Sequence, residues 1–285
     1  MAEEQNKNVS RAVKREDEVV VEPRALRIDP RIYDPVILCP VGPLTTMMAR
    51  MHKASKKFMP FEPARVYTIS SKGRKASLVG PCMGAPAAGY VLERLIANGA
   101  RHVVMLGLCG SINREARIGS LVAPMGARIE EGVSGHYITG DRRSFPGKQA
   151  LAAVREAVEG SGRSYHLGPV WTTDAVFRET KAKVAGFGEK GLLAVEMEAS
   201  ALFTIAMYRG IELAALLVVS DELFDLTWRT GFTRPRFITA LRHACHIALD
   251  AAFRMAAGAR EAVAAVEEPA EDGPGPSREE GEAAP

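Results

Sequence analysis

The sequence predicts an α/β fold: a single three-layer domain in which a mixed, mostly parallel central β-sheet is flanked by helices. Three observations predict it. Short, continuously apolar runs alternate with longer amphipathic ones, as expected of strands buried on both faces and helices covering them. The apolar runs hold three to seven residues, the length of core strands. A chain of 285 residues with 47% hydrophobic content can fill one large core.

Taken in order, Val36-Ile37-Leu38-Cys39 reads as the first strand, and a helix is expected from Leu44 to Phe58. Strands near Val66–Ile69 and Ala76–Val79 are joined by Ser71-Lys72-Gly73-Arg74, a turn that makes them a hairpin. A helix over 87–98 places Val91, Leu92 and Leu95 on one face, and Gly99 ends it before the strand Val103-Val104-Met105-Leu106-Gly107. Strands are expected at 121–123, 127–129 and 167–172, with a helix over about 148–160. The last third adds helices at 179–188 and 198–209, the strand 213–219, and a long helix from 236 to about 257.

Residues 1–24 mix charges without hydrophobic period, and 259–285 are acidic and rich in Pro and Gly. Such compositions do not repay the entropy of ordering, so both ends are expected as disordered tails around a domain spanning 25–258. No run of about 18 apolar residues could span a bilayer, and Met1 to Arg24 lacks a signal peptide's apolar segment. A cytoplasmic protein without membrane contact is expected. Cys39, Cys82, Cys109 and Cys245 form no Cys-x-x-Cys pair, which indicates reduced, buried thiols and no metal site. A net charge of +3, from basic residues scattered among nearly as many carboxylates, gives no reason to expect nucleic acid and suits a small anionic ligand.

Three segments carry chemistry. Gly107-Leu108-Cys109-Gly110-Ser111 follows a buried strand, where glycines let backbone N–H groups approach a ligand at the carboxyl edge of the sheet. Ala194-Val195-Glu196-Met197-Glu198-Ala199 puts two carboxylates at the opening of a helix, where they serve as caps or, in Glu198, as an acceptor for two vicinal hydroxyls beside the apolar Met197. Leu217-Val218-Val219-Ser220-Asp221 ends a strand on an aspartate, a turn former or, with its pKa raised by burial, a general acid.

The order Gly-x-Cys-Gly, Val-Glu-Met-Glu-Ala and Val-Ser-Asp resembles the nucleoside phosphorylase superfamily of purine nucleoside phosphorylases, uridine phosphorylases and methylthioadenosine nucleosidases, over about residues 35–255. The resemblance implies the nucleoside phosphorylase fold and cleavage of a nucleoside's N-glycosidic bond, with phosphate as co-substrate and no cofactor. It implies that Met197 and Glu198 hold the ribose, with Glu196 close by, and that Asp221 assists departure of the base. Gly107, Cys109 and Gly110 would line the site. Thr173-Asp174-Ala175-Val176-Phe177 matches the segment that lines the base pocket, with Phe177 the stacking candidate, Val176 and Thr173 beside it, and Arg178 following. Gly132-Val133-Ser134-Gly135-His136-Tyr137 is similar to a loop whose His136 or Tyr137 would reach a sugar hydroxyl. A homo-oligomer is implied, dimer-based and up to a hexamer, because family members complete their sites from an adjacent subunit.

The departures concern the nucleophile. Where phosphorolytic members hold the anion, the aligned positions are Val41, Thr45, Met105, Leu108 and Glu62. Phosphate recognition relies on guanidinium and backbone N–H contacts of about 1.5–3 kcal/mol each, which Met and Leu cannot supply. Arg65, Arg128 or Arg178 would have to substitute. Otherwise water attacks, oriented by Glu62, and the chain is a nucleoside hydrolase. The hydrolytic members' glutamate after the first strand is also absent, since Cys39-Pro40-Val41-Gly42-Pro43 stands there. Asp221 favours a purine, whereas pyrimidine-type sites offer Gln and Arg beyond the aromatic segment and this chain has Arg178-Glu179-Thr180, so purine and uridine types both stay open. A non-catalytic nucleoside-binding protein is the third reading.

Overall fold

A computed structural model describes residues 19–140 and 142–267. Its sheet contains β1 (Val36–Leu38), β2 (Ser55–Phe61), β3 (Ala64–Ser71), β4 (Arg74–Gly80), β5 (His102–Ser111), β6 (Leu121–Glu130), β7 (Arg143–Ser144), β8 (Tyr165–Thr173), β9 (Ala194–Glu196), β10 (Glu212–Glu222) and β11 (Arg229–Thr230). The helices are α1 (Gly42–Met51), α2 (Ala85–Ala97), α3 (Lys148–Gly160), α4 (Lys181–Glu189), α5 (Ala199–Arg209) and α6 (Pro235–Glu267).

The strands run β11-β10-β6-β8-β9-β5-β1-β4-β3-β2, and β10 also pairs with β5. That extra pairing closes β10, β6, β8, β9 and β5 into a ring, with β1, β4, β3 and β2 extending from β5 as a wing. The long pairings β5–β10 and β6–β8 are parallel, as are both flanks of β1. Burial on both faces explains the unbroken apolar runs: Val103 to Leu106 and Leu213 to Val219 have no exposed surface. Helix α3 turns Ala150, Ala153, Val154, Ala157 and Val158 inward at helical spacing, against α6 and β10. The four cysteines are free and buried. Among the described residues no helix is long and apolar enough to cross a membrane.

The expected elements recur with four corrections. The first helix ends at Met51 rather than Phe58, because Lys53 turns the chain at φ 48° and Ser55, Lys56 and Lys57 pair with Thr68, Tyr67 and Val66. Lysines on the outermost strand discourage edge-to-edge pairing, and their spacing imitates an amphipathic helix. The two strands expected at 121–123 and 127–129 are one, with a register shift between Pro124 and Gly126. Strand β10 extends past Val219 and takes Asp221 with it. Helix α6 continues to Glu267, past residue 258 where the domain was expected to end. Residues 1–18 and 268–285 of the expected tails lie outside the described residues.

Candidate active site

The Val-Glu-Met-Glu segment divides its carboxylates between two tasks. Glu196 ends β9 fully inside the protein, and its Oε2 accepts the N–H groups of Glu198 (2.8 Å) and Ala199 (2.7 Å). Those donors open α5 and would otherwise lack partners. Thr172 donates its hydroxyl to Glu196 Oε1, and the Thr172 Oγ1 in turn accepts from Ser200 N–H. Glu196 therefore holds the turn. Glu198, fixed by it, reaches across to the start of α2, where Gly84 N–H donates to its Oε1 at 2.6 Å. Burial raises the Glu198 pKa, the neighbouring Glu196 adds to that, and the backbone N–H groups of Gly84 and Met197 oppose it.

A third carboxylate underlies this half. Glu131, buried after β6, accepts from Val133 N (2.6 Å), Ser134 N (3.0 Å) and the Ser200 hydroxyl (2.9 Å). It ties the 132–137 loop to the first turn of α5. Sequence reasoning missed it, although an acid followed at two and three residues by loop N–H groups is a capping pattern. His136 lies exposed in the short 3₁₀ turn Ser134–His136. Tyr137, expected as its alternate, is committed elsewhere: its hydroxyl donates to Glu93, which Arg209 also grips.

The position of Asp221 is set by an irregularity in the strand. Opposite β5, Val219 faces Cys109 and Asp221 faces Gly110, so Ser220 is an extra residue in a β-bulge. The bulge re-aims Asp221, whose Oδ1 accepts from the Ser220 hydroxyl (2.6 Å) and whose Oδ2 accepts from the Trp228 indole N–H (2.9 Å). Burial raises the Asp221 pKa, and those two hydrogen bonds pull the other way. Gly110 leaves no free room for a side chain: a Cβ would stand 2.5 Å from Leu223 Cδ1 and 3.0 Å from Asp221 Oδ2, so both would have to shift. Gly107 is a packing glycine, its would-be Cβ 3.0 Å from Met105 Cε. Cys109 joins the two halves, its thiol pKa raised by burial and then by the charges of Asp221 and Glu196.

Comparison with known proteins decides the family. The family model described as "Phosphorylase superfamily" matches residues 36–254. The chain belongs to that superfamily. Purine nucleoside phosphorylases of the DeoD type from Bacillus thuringiensis (strain Al Hakam) and Bacillus mycoides (strain KBAB4) are each 30% identical over 197 residues, 66% of this chain and 80% of theirs. A crystal structure of uridine phosphorylase from Vibrio fischeri ES114 superposes with a TM-score of 0.69 at 23% identity, covering 79% of this chain and 93% of that one. At that identity the likeness concerns the fold.

The positions expected to hold an anion bring no cationic group together in this superfamily member. Thr45 is buried with its hydroxyl directed at the carbonyls of Cys39 (3.0 Å) and Val41 (2.9 Å), Met105 has no exposed surface, and Leu108 is half-buried. The thiols of Cys39 and Cys82 face Glu198 electrostatically; burial first, with Glu198 contributing, pushes Cys39 up to about 12 and Cys82 higher. Glu62 is exposed at the turn between β2 and β3, on the outer end of the wing. Arg65 and Arg178 are also exposed, and Arg128 stacks over Phe187.

The base segment is the other departure. Thr173 is buried and receives Ala175 N–H, but Val176 is 43% and Phe177 91% exposed. Phe177 is thus neither core nor in contact with a pocket wall within one chain. Two neighbours of Asp221 went unforeseen. Trp228 donates to it, and Glu179 lies close enough that burial, with the Asp221 charge, pushes its pKa up to about 7. Neither follows a spacing rule, since Trp228 arrives through the antiparallel pairing of β11 with β10 and Glu179 through the turn before α4.

Proposed function

We propose that this protein cleaves the N-glycosidic bond of a nucleoside, a purine nucleoside in the first instance. The observation that carries this reading is a pair of burial-perturbed carboxyls, Glu198 and Asp221, held on opposite sides of the β5 exit by fixed donors. Glu198 accepts from the sugar hydroxyls. As the glycosidic bond breaks, the sugar gains oxocarbenium character, and the Glu198 carboxylate, costly when buried alone, is compensated by that positive charge in the transition state. Asp221 gives its proton to the departing base nitrogen. Cys109 and Gly110 form the wall between them, and Met197 offers an apolar surface to the sugar.

The printed names of the curated relatives support phosphate as the attacking co-substrate, giving free base and pentose 1-phosphate. One observation favours water instead: Thr45, Met105 and Leu108 bring no cationic group to Glu198. The exposed Phe177, Met83 and Tyr90 suit cover by a second copy of the chain, so the working assembly in this reading is a homo-oligomer.

The test is an incubation with purine and pyrimidine nucleosides, with and without phosphate, following free base. Phosphate-dependent release yielding pentose 1-phosphate supports phosphorolysis, and release of free ribose in phosphate-free buffer supports hydrolysis. Absence of release from every nucleoside, with binding that survives Glu198→Ala, would overturn both in favour of a binding protein.

A further inference from the structure

Outside the candidate active site, α1 and the first half of α6 face each other across a groove. On α1, Pro43, Thr46, Met47 and Arg50 recur at helical spacing; on α6, Thr239, Arg242, His243 and His246 do the same. Each set lies on one face of its helix, and together with Met51 they line an open groove of about 980 Å³. That is the volume of a pocket for a molecule of nucleotide size. Thr45, the neighbour of Thr46, points the opposite way, to the Cys39 carbonyl, so the groove is on the outer side of α1 from Glu198.

Its walls are cationic and carry no carboxylate. Among the described residues neither Arg50 nor Arg242 has an acidic partner, and both are exposed. Arg163 adds a third guanidinium, bonded to His243 Nε2. Acids of α3 and α6 have partners of their own: Asp250 and Glu156 pair with Arg254, and Glu159 pairs with Arg155 and accepts from the Tyr165 hydroxyl. Behind the lining residue His246 the His52 ring meets it edge-on at 5.0 Å, and the buried His52 Nε2 has no hydrogen-bond partner. Like charges on facing helices and an unpartnered buried polar atom both cost stability, and an anion in the groove would offset the first. Burial, Arg163 and His246 depress the His243 pKa, as expected of a cation-rich surface.

We propose that the groove between α1 and α6 is a second binding site, for a condensed phosphate such as a di- or triphosphate, free or carried on a nucleotide. Arg50 and Arg242, one from each helix, clamp the phosphate chain; Thr46, Thr239 and His246 supply hydroxyl and imidazole donors along it.

The test is calorimetric titration of the full chain with sodium tripolyphosphate and, separately, with ATP. Saturable binding that weakens steeply between 50 and 300 mM salt, on the order of tenfold or more, is expected. The Arg50→Gln/Arg242→Gln variant is expected to lower affinity at least about tenfold while nucleoside cleavage and melting temperature stay unchanged. Tighter binding of ATP assigns the site to nucleotides, and equal binding to the phosphate chain alone. Failure of wild type to bind either ligand at low salt overturns the proposal. So does binding that the double variant leaves intact and that nucleoside displaces, because the ligand is then in the active site. Should the double variant fold poorly, exposed Arg50 alone, as Arg50→Gln, is expected to give the same direction of effect.

Discussion

Replacing Trp228 by phenylalanine removes one of the two hydrogen bonds on the proposed acid, and its effect can be worked from the site. The indole N–H donates to Asp221 Oδ2 at 2.9 Å and so favours the ionised carboxyl. Hydrogen bonds to charged groups contribute about 1.5–3 kcal/mol when shielded. Trp228 is 61% exposed, so solvent competes for the same oxygen and the low end applies. About 1.4 kcal/mol corresponds to one pH unit. Losing the bond raises the Asp221 pKa. A general acid acts while protonated, and activity falls as pH rises through its pKa, so the basic limb of kcat/KM moves up by at most about one unit in Trp228→Phe. The assay is initial-rate kinetics over pH 5–10 for wild type, Trp228→Phe and Glu179→Gln. Burial, and then the Asp221 charge, push the Glu179 carboxyl up to about 7, so Glu179→Gln separates the two groups. A limb that disappears in Glu179→Gln and is unmoved in Trp228→Phe would refute the assignment of the proton to Asp221.

Further outcomes follow from the same geometry. Glu198→Gln is expected to abolish most activity yet stabilise the free protein at alkaline pH. The folded-state pKa of Glu198 is raised, so the protein binds the proton more tightly than the unfolded chain does, and the cost of the buried charge appears as pH rises above the ordinary carboxylate range. Calorimetry should therefore show wild type and variant melting together near pH 5 and the variant melting higher near pH 9, by about 2–4 °C per kcal/mol; a reversed order would contradict the burial argument. Gly110→Ala should cost about 1–3 kcal/mol by overpacking against Leu223 and lower kcat by displacing Asp221, as read by denaturant melts and steady-state rates. Phe177→Ala is expected to leave stability within about 0.5 kcal/mol, since the ring is 91% exposed. Its KM for a nucleoside should rise about tenfold if the ring closes on the base, the equivalent of about 1.4 kcal/mol. With Trp171 buried and Trp228 exposed, the chain's two tryptophans also give a direct reading: nucleoside should quench emission in wild type and not in Trp228→Phe.

The sequence by itself determined the layer architecture and singled out the carboxylates proposed for the sugar and the leaving base. Apolar runs such as Leu213 to Val219 can be satisfied only by burial on both faces, and that burial fixes a central sheet whichever strands pair. Val195-Glu196-Met197-Glu198 and Ser220-Asp221 were legible because local order places them at a strand end and a helix start. Which of the two glutamates caps the helix was not legible: Glu196 does so because Thr172, brought from β8, and the buried turn beneath it fix its carboxyl, leaving Glu198 to meet Gly84. The aim of Asp221 depends on a bulge against β5, and the company of Trp228 and Glu179 depends on pairings distant in sequence. The cationic groove was equally hidden, since Arg50 and Arg242 stand 192 positions apart along the chain. Periodicity records which face of an element is buried, whereas the electrostatics of a site depend on which elements are packed side by side, and that only the tertiary structure decided.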